Sequence, residues 1–261
     1  MADAIKAAIF DWAGTTVDYG CFAPVKGFID GFRSIGIEIT NEMARKPMGL
    51  PKIDHTRAIA AMLAESIAEE RILKAYAVFE ETLFANIEQH CDIKDYVVKT
   101  VAALRGMGIK IGSTTGYTSA MMEKVLPIAA AQGYTPDYCI APDKVAKGRP
   151  YPYMIEKNLM QFGISDPREV VKIGDTTADI AEGLNADCWT VGIIMGSSLL
   201  GLTRNEVSAL PPAELGARKE AVRADYREAG ADYIIDDMNE LLGAIEDINR
   251  RLKQNAGNQK L

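Results

Sequence analysis

The chain has 261 residues, enough for one large domain or two small ones. Apolar residues make up 48% and charged residues 25%, the balance of a soluble globular protein, which excludes a largely disordered chain and a coiled-coil rod. With 29 Lys and Arg against 36 Asp and Glu the formal charge is −7, so there is no electrostatic footprint for nucleic acid or for an anionic membrane surface; an anionic substrate stays compatible with positive charge gathered in a pocket.

The segment MADAIKAAIFDWAG carries Asp3, Lys6 and Asp11 and lacks the apolar core of a signal peptide. No apolar run approaches a membrane span. Cys21, Cys91, Cys139 and Cys188 are far apart and form no CxxC pair, which argues against a disulfide framework and a zinc site. His55 and His90 are too few for a histidine-rich metal centre. A reduced, cytoplasmic protein is expected.

Six short apolar, β-rich runs follow one another: Ala7 to Phe10, Ile109 to Thr114, Tyr138 to Ala141, Val170 to Gly174, Trp189 to Ile194 and Tyr233 to Ile235. Each leads into a turn signal, and most lead on into a helical pattern. Continuous apolar strands alternating with helices predict an α/β fold with a doubly wound, Rossmann-like parallel sheet. Ligands of such sheets sit at the carboxyl ends of the strands. About 90 residues before Lys110 contain no buried strand, only apolar residues at helical spacing. They predict an all-helical insert with boundaries near Asp18–Pro24 and Cys91–Val97: core 1–18 and 98–261, insert 19–97. The tail from Lys253 onward is polar and expected to fray.

The strand ends carry the chemistry. Asp11 ends the first run and is followed by Trp12-Ala13-Gly14-Thr15-Thr16; an exposed carboxylate and a turn cap are both compatible with it. Ser113-Thr114-Thr115-Gly116-Tyr117 offers a hydroxyl that can hold a phosphate oxygen or cap the helix SAMMEKVLPIAAAQG. Arg149, between Gly148 and Pro150 at a helix start, suits an anion. Asp175 and Asp179, four residues apart, suit a hard divalent cation, Mg²⁺ foremost, or else a helix cap.

In this order, the set resembles the haloacid dehalogenase superfamily of phosphoryl-transfer enzymes. The resemblance implies that Asp11 is the nucleophile, that Thr115 binds the phosphoryl group and that Arg149 neutralises its charge. It further implies that Asp175 and Asp179 serve a Mg²⁺ site completed by Asp11 and the Ala13 carbonyl, and that the insert is a cap domain. Phosphatases of the superfamily have a second aspartate at the position of Ala13, a general acid–base typically worth about 10²–10⁴-fold. Alanine supplies none of it, which leaves a dead relative, a good leaving group, or a carbon leaving group activated otherwise.

The insert contains Arg45-Lys46-Pro47-Met48-Gly49-Leu50-Pro51-Lys52-Ile53-Asp54-His55. On one helix Met48, Lys52 and His55 would share a face, with Pro51 in the first turn. Apolar neighbours would lower the Lys52 pKa and free its amine for a Schiff base with an aldehyde; the plainer alternative is a solvated surface lysine. DWAGTTVDYGCFAP, KPMGLPKIDH, GSTTGYT, GRPYP and GDTTADIAEGLNA together resemble the phosphonatase family. That resemblance implies Mg²⁺-dependent conversion of phosphonoacetaldehyde and water to acetaldehyde and phosphate, with Lys52 as imine former and His55 assisting proton transfer. Met48, Cys21, Gly116 and Tyr117 would shape the pocket, and a homodimer would form through the cap. Met62, Leu63, Tyr76 and Phe79 offer an apolar face for that contact or for the insert's own core. The segment between His55 and Glu80 reads about ten residues shorter than the family's, which leaves a related phosphonate aldehyde open as substrate. A phosphatase or phosphomutase, and a catalytically silent phosphate-binding protein, are the competing readings.

Overall fold

A computed structural model describes residues 4–258. The six apolar runs form β1 (Ala7–Phe10), β2 (Lys110–Thr114), β3 (Tyr138–Ile140), β4 (Val170–Gly174), β5 (Trp189–Ile193) and β6 (Tyr233–Ile235). They make one sheet in the order β3-β2-β1-β4-β5-β6, parallel throughout. Every residue of β1 and β4 is buried, because successive side chains serve opposite layers. Ala8, Phe10, Val171 and Ile173 pack in a cluster with Leu104, Ile245 and Ile248. Ala7, Ile9 and Val170 pack with Ile155 and Cys188 in another.

Between β1 and β2 lie the helices α1 (Ala23–Ser34), α2 (Asn41–Arg45), α3 (Lys52–Ala61) and α4 (Glu69–Asn86), then α5 (Val97–Gly106). The remaining connections carry α6 (Ser119–Ala131), α7 (Tyr153–Phe162), α8 (Thr177–Asn185), α9 (Arg204–Ala209) and α10 (Pro212–Glu228), and α11 (Leu241–Asn258) closes the chain. From β1 the order runs through β2 to β3 on one side and through β4 and β5 to β6 on the other. The carboxyl ends of β1, β2 and β4 therefore flank the topological switch point.

Helices α1 to α4 add no strand to the sheet. They pack on one another, the Phe28 and Phe79 rings stacking with centroids 4.1 Å apart, in a buried cluster continuous with that of Phe10 and Ile173. The two connecting segments run side by side: Val17 bridges Ile93, Lys94 N donates to Thr16 O at 2.9 Å, and His90 Nδ1 lies 3.4 Å from Asp18 Oδ1.

Three local expectations change. Met48 is not on the helix of Lys52: Gly49 takes φ +93° and Pro51 is the extended residue before α3, so Met48 sits in the preceding turn. Phe79 is fully buried, and Met62, Leu63 and Tyr76 pack partly buried against the same core, so this apolar set is internal. The tail remains helical through Asn258, because α11 runs on past Lys253; residues 259–261 lie outside the described residues.

Candidate active site

Asp11 sits at the end of β1, its N–H held by Ile173 O of β4 at 2.9 Å. The chain then turns tightly, with the N–H groups of Thr15, Thr16 and Val17 all donating to Trp12 O. Gly14 takes φ +89°, a left-handed conformation open to glycine. Its carbonyl accepts from Lys94 Nζ. Thr15 Oγ1 lies 3.3 Å from both Asp11 Oδ2 and Asp175 Oδ1, and Ser198 N donates to Asp175 Oδ2 at 2.7 Å.

Asp11, Asp175 and Asp179 are buried and each offers an oxygen within 4.8 Å of the others. Burial and the neighbouring carboxylates push Asp11 up and Asp175 well up from the usual carboxyl range. Burial acts on Asp179 in the same direction, but Arg149 and Lys172 outweigh it and hold Asp179 below that range. Clustered oxygen donors whose mutual repulsion is incompletely offset fit a hard divalent cation. Asp179 also completes a capping box with Thr176 at the start of α8, so the plainer role is present as well.

Arg149 precedes a cis proline and lies before, not at, the start of α7. Its Nη2 is 2.8 Å from Asp11 Oδ1 and 3.1 Å from Asp179 Oδ1. Burial disfavours its charge, but Asp179, Asp11 and Glu182 hold its pKa well above the ordinary value. Thr118, not Thr115, caps α6. Among the described residues Thr115 Oγ1 accepts only the Tyr117 N–H, at 3.0 Å, and keeps its own proton to donate.

Lys52 opens α3 and is buried. Its Nζ makes no hydrogen bond or ion pair among the described residues; it stands over the Tyr117 ring, 5.2 Å from the centroid. Burial lowers its pKa, with Arg149 adding to the effect and Cys21 and Asp11 opposing it. His55, one turn on, is fully buried and stacked on Phe28 at 3.9 Å. Its Nε2 lies 2.9 Å from Ala44 O, which can only accept, so Nε2 carries the proton and Nδ1 presents a lone pair with no partner. Burial, then Lys52, push its pKa well below the usual value. Cys21 is buried, and burial with Asp175 and Asp18 keeps its thiol neutral.

Asp11, Ala13, Cys21, Met48 and Lys52 line one small cavity of about 20 Å³, together with Thr115, Gly116, Tyr117, Arg149 and Asp175. His55 and Asp179 stand behind it, next to Lys52 and Arg149 respectively. A cleft of about 590 Å³ shares Lys52, Gly116 and Arg149 with this cavity and continues between Pro51 and Tyr76 of the insert and Asp143, Lys147 and Tyr151 of the sheet side.

Sequence reasoning missed several buried polar groups here: Lys94, Lys172, Glu182, Thr114 and Ser198. The available signal was a charge inside an apolar strand, the lysine of Val170-Val171-Lys172-Ile173. A buried lysine needs an acidic partner.

Residues 5–187 match the family profile described as haloacid dehalogenase-like hydrolase. The chain belongs to this family of hydrolases. Within it, the chain is 48% identical to the phosphonoacetaldehyde hydrolase of Bacillus thuringiensis subsp. konkukian and equally to that of Bacillus anthracis, over 95% of this chain and 97% of each relative. Among solved structures it is similar to a phosphonoacetaldehyde hydrolase-like protein from Oleispira antarctica, with TM-score 0.90, 34% identity, and 96% of this chain and 94% of the other covered.

Proposed function

We propose that this chain hydrolyses the carbon–phosphorus bond of phosphonoacetaldehyde, releasing acetaldehyde and phosphate. The observation that carries the reading is a buried lysine, Lys52, whose Nζ has no hydrogen bond or ion pair among the described residues and which lines one cavity with the carboxylate of Asp11, where alanine replaces a general acid at position 13. The 48% identity to phosphonoacetaldehyde hydrolases supports it.

Lys52 Nζ adds to the aldehyde carbon and water leaves, giving a protonated imine. His55 Nδ1, the unpartnered lone pair beside Lys52, moves protons in this exchange through a water. The Asp11 carboxylate attacks phosphorus; the C–P bond breaks and its electron pair flows to the iminium nitrogen as an enamine. No proton on a leaving oxygen is needed, which suits Ala13. Protonation at carbon and addition of water release acetaldehyde and return the lysine, and a second water hydrolyses the aspartyl phosphate. One water is gained and two are spent, a net cost of one.

Thr115 and the backbone at Gly116 hold the phosphoryl oxygens, and Arg149 offsets their charge. Asp11, Asp175, Asp179 and the Ala13 carbonyl would hold Mg²⁺, which would supply further charge neutralisation at the phosphoryl group. Met48, Tyr117 and the neutral thiol of Cys21 enclose the carbon end.

A cavity of about 20 Å³ holds about one water molecule; the adjoining cleft of about 590 Å³ reaches Lys52 and Arg149, and a swing of residues 19–97 from the core of 1–18 and 98–261 would make room for substrate between Lys52 and Asp11. The paired linkers at Val17 and Ile93 are the place for such a hinge. The reading includes a cytoplasmic enzyme, to which the four free thiols correspond. Among the described residues no helix is long and apolar enough to cross a membrane. It also includes a homodimer joined through the cap, for which Leu73 and Phe84 of α4 are the exposed apolar residues.

Incubation with phosphonoacetaldehyde and Mg²⁺, with acetaldehyde read by a coupled dehydrogenase, tests the reaction. Acetaldehyde from the native chain but not from Lys52→Arg supports it. Folded, Mg²⁺-loaded native protein that yields none overturns it.

A further inference from the structure

Arg149 is bound on one edge and open on the other. Its Nε donates to Glu182 Oε2 at 2.9 Å and its Nη2 to Thr114 Oγ1 at 2.9 Å. Among the described residues its Nη1 has only Gly49 O, at 3.5 Å. Behind the bound edge, Lys172 Nζ reaches Thr114 Oγ1 at 2.8 Å, Asp179 Oδ1 at 2.9 Å and Glu182 Oε2 at 3.2 Å. Lys172, Glu182 and Thr114 are all fully buried.

Thr114 is the fully committed member of this network. A hydroxyl has one proton and two lone pairs. Thr114 meets two cations that can only donate, Arg149 and Lys172, and one carboxylate that can only accept, Glu182 at 2.9 Å. Both lone pairs and the proton are therefore committed. Lys172 donates to Thr114 Oγ1 and pairs with the carboxylates of Asp179 and Glu182. The Nε and Nη2 edge of the guanidinium is thus held from behind, and Nη1 lies toward Gly49, which lines the same cavity as Arg149.

Charge points the same way. Glu182 alone would cancel Arg149 and leave nothing for an anion. Lys172 offsets Glu182, so the Arg149 charge stays available on the side of Asp11 and Asp179.

We propose that Lys172 and Glu182, joined through Thr114, are positioning residues that aim Arg149 Nη1 at the phosphoryl group and keep its charge available to it. The proposal rests on the reading of Arg149 as the phosphoryl-binding cation. Neither residue touches the substrate.

Inorganic phosphate in the presence of Mg²⁺ is the probe, titrated calorimetrically into wild type, Lys172→Met, Glu182→Gln and the double variant. Lys172→Met leaves Glu182 uncompensated against Arg149 and is expected to weaken phosphate binding about 10–100-fold. The double variant removes one charge of each sign and is expected to recover most of that loss, a rescue that a merely structural lysine would not show. Folded Lys172→Met with wild-type phosphate affinity, or a double variant no better than the single, overturns the proposal. If Lys172→Met does not fold, Thr114→Val cuts the same connection without stranding a charge; it is expected to weaken phosphate about tenfold, and unchanged affinity overturns the proposal equally. Phosphate binding is read without turnover, so a wild type that fails to cleave phosphonoacetaldehyde counts against the reaction alone.

Discussion

Gly14 and Asp175 are packed so closely that a Cβ on Gly14 would stand 2.1 Å from Asp175 Oδ2. With φ at +89° a side chain is strained there in any case. Gly14→Ala must displace either the Asp175 carboxylate or the turn that follows Asp11. The expected result is Mg²⁺ affinity reduced about tenfold or more and a stability loss of about 1–3 kcal/mol, read by calorimetric titration and thermal melting. Native Mg²⁺ affinity in this variant would mean that Asp175 is not a ligand.

Burial lowers the Lys52 pKa, so a larger share of its amine is unprotonated at any pH below the ordinary lysine value of about 10.4. Borohydride trapping in the presence of phosphonoacetaldehyde should therefore label Lys52 with a pH midpoint below that value, the rate rising with pH on the acid side. A midpoint at or above it would show that Lys52 is solvated when it reacts. Lys52→Arg should take up no label at any pH.

The sheet and the carboxylates were legible because their signals are local. A buried parallel strand reads as an unbroken apolar run, and Asp11, Asp175 and Asp179 stand just beyond such runs. The helical insert showed itself as a long stretch without them. The partners of Lys172 and Glu182 were not legible, since they come from four separate segments of the fold. A lone lysine in Val170-Val171-Lys172-Ile173 reads locally as an interruption, and only the fold supplies Thr114 from β2 and Asp179 and Glu182 from α8. Met48 was placed on the wrong element for a local reason: helical spacing outweighed the breaks at Gly49 and Pro51. Lys52 and Met48 nevertheless line one cavity, because the turn brings Met48 back over the start of α3.

Asp11 and Asp175 are pushed up from the usual carboxyl range in the metal-free protein. A cation binding between them must compete with protons, so Mg²⁺ affinity should rise with pH above the ordinary carboxyl value of about 3.9 and binding should release protons. Titrations in two buffers of different ionisation enthalpy read both quantities. Affinity independent of pH above that value, with no proton release, would place Mg²⁺ elsewhere. Removal of Mg²⁺ with a chelator should abolish acetaldehyde release while leaving the protein folded, since the strands that carry the carboxylates are held by the sheet.

His55 lends itself to a stability test in which the sign is fixed by its tautomer. The ring is neutral, its Nε2–H donates to Ala44 O, and burial and Lys52 hold its pKa well below the ordinary value of about 6.5. As pH falls through about 6.5 the unfolded chain takes up a proton at this residue that the native chain refuses. Stability should therefore drop on acidification, by at most about 1.4 kcal/mol per pH unit from this group, until the lowered native value is reached. His55→Gln keeps an N–H for Ala44 O, cannot titrate, and loses the stack on Phe28. It should be less stable than wild type at about pH 7.5, by about 1–3 kcal/mol, and the gap should narrow at about pH 5.5. Urea unfolding of both proteins at the two pH values measures it. A gap that stays constant or widens would mean that His55 takes up its proton in the native state, and its lone pair could not then act as a base beside Lys52.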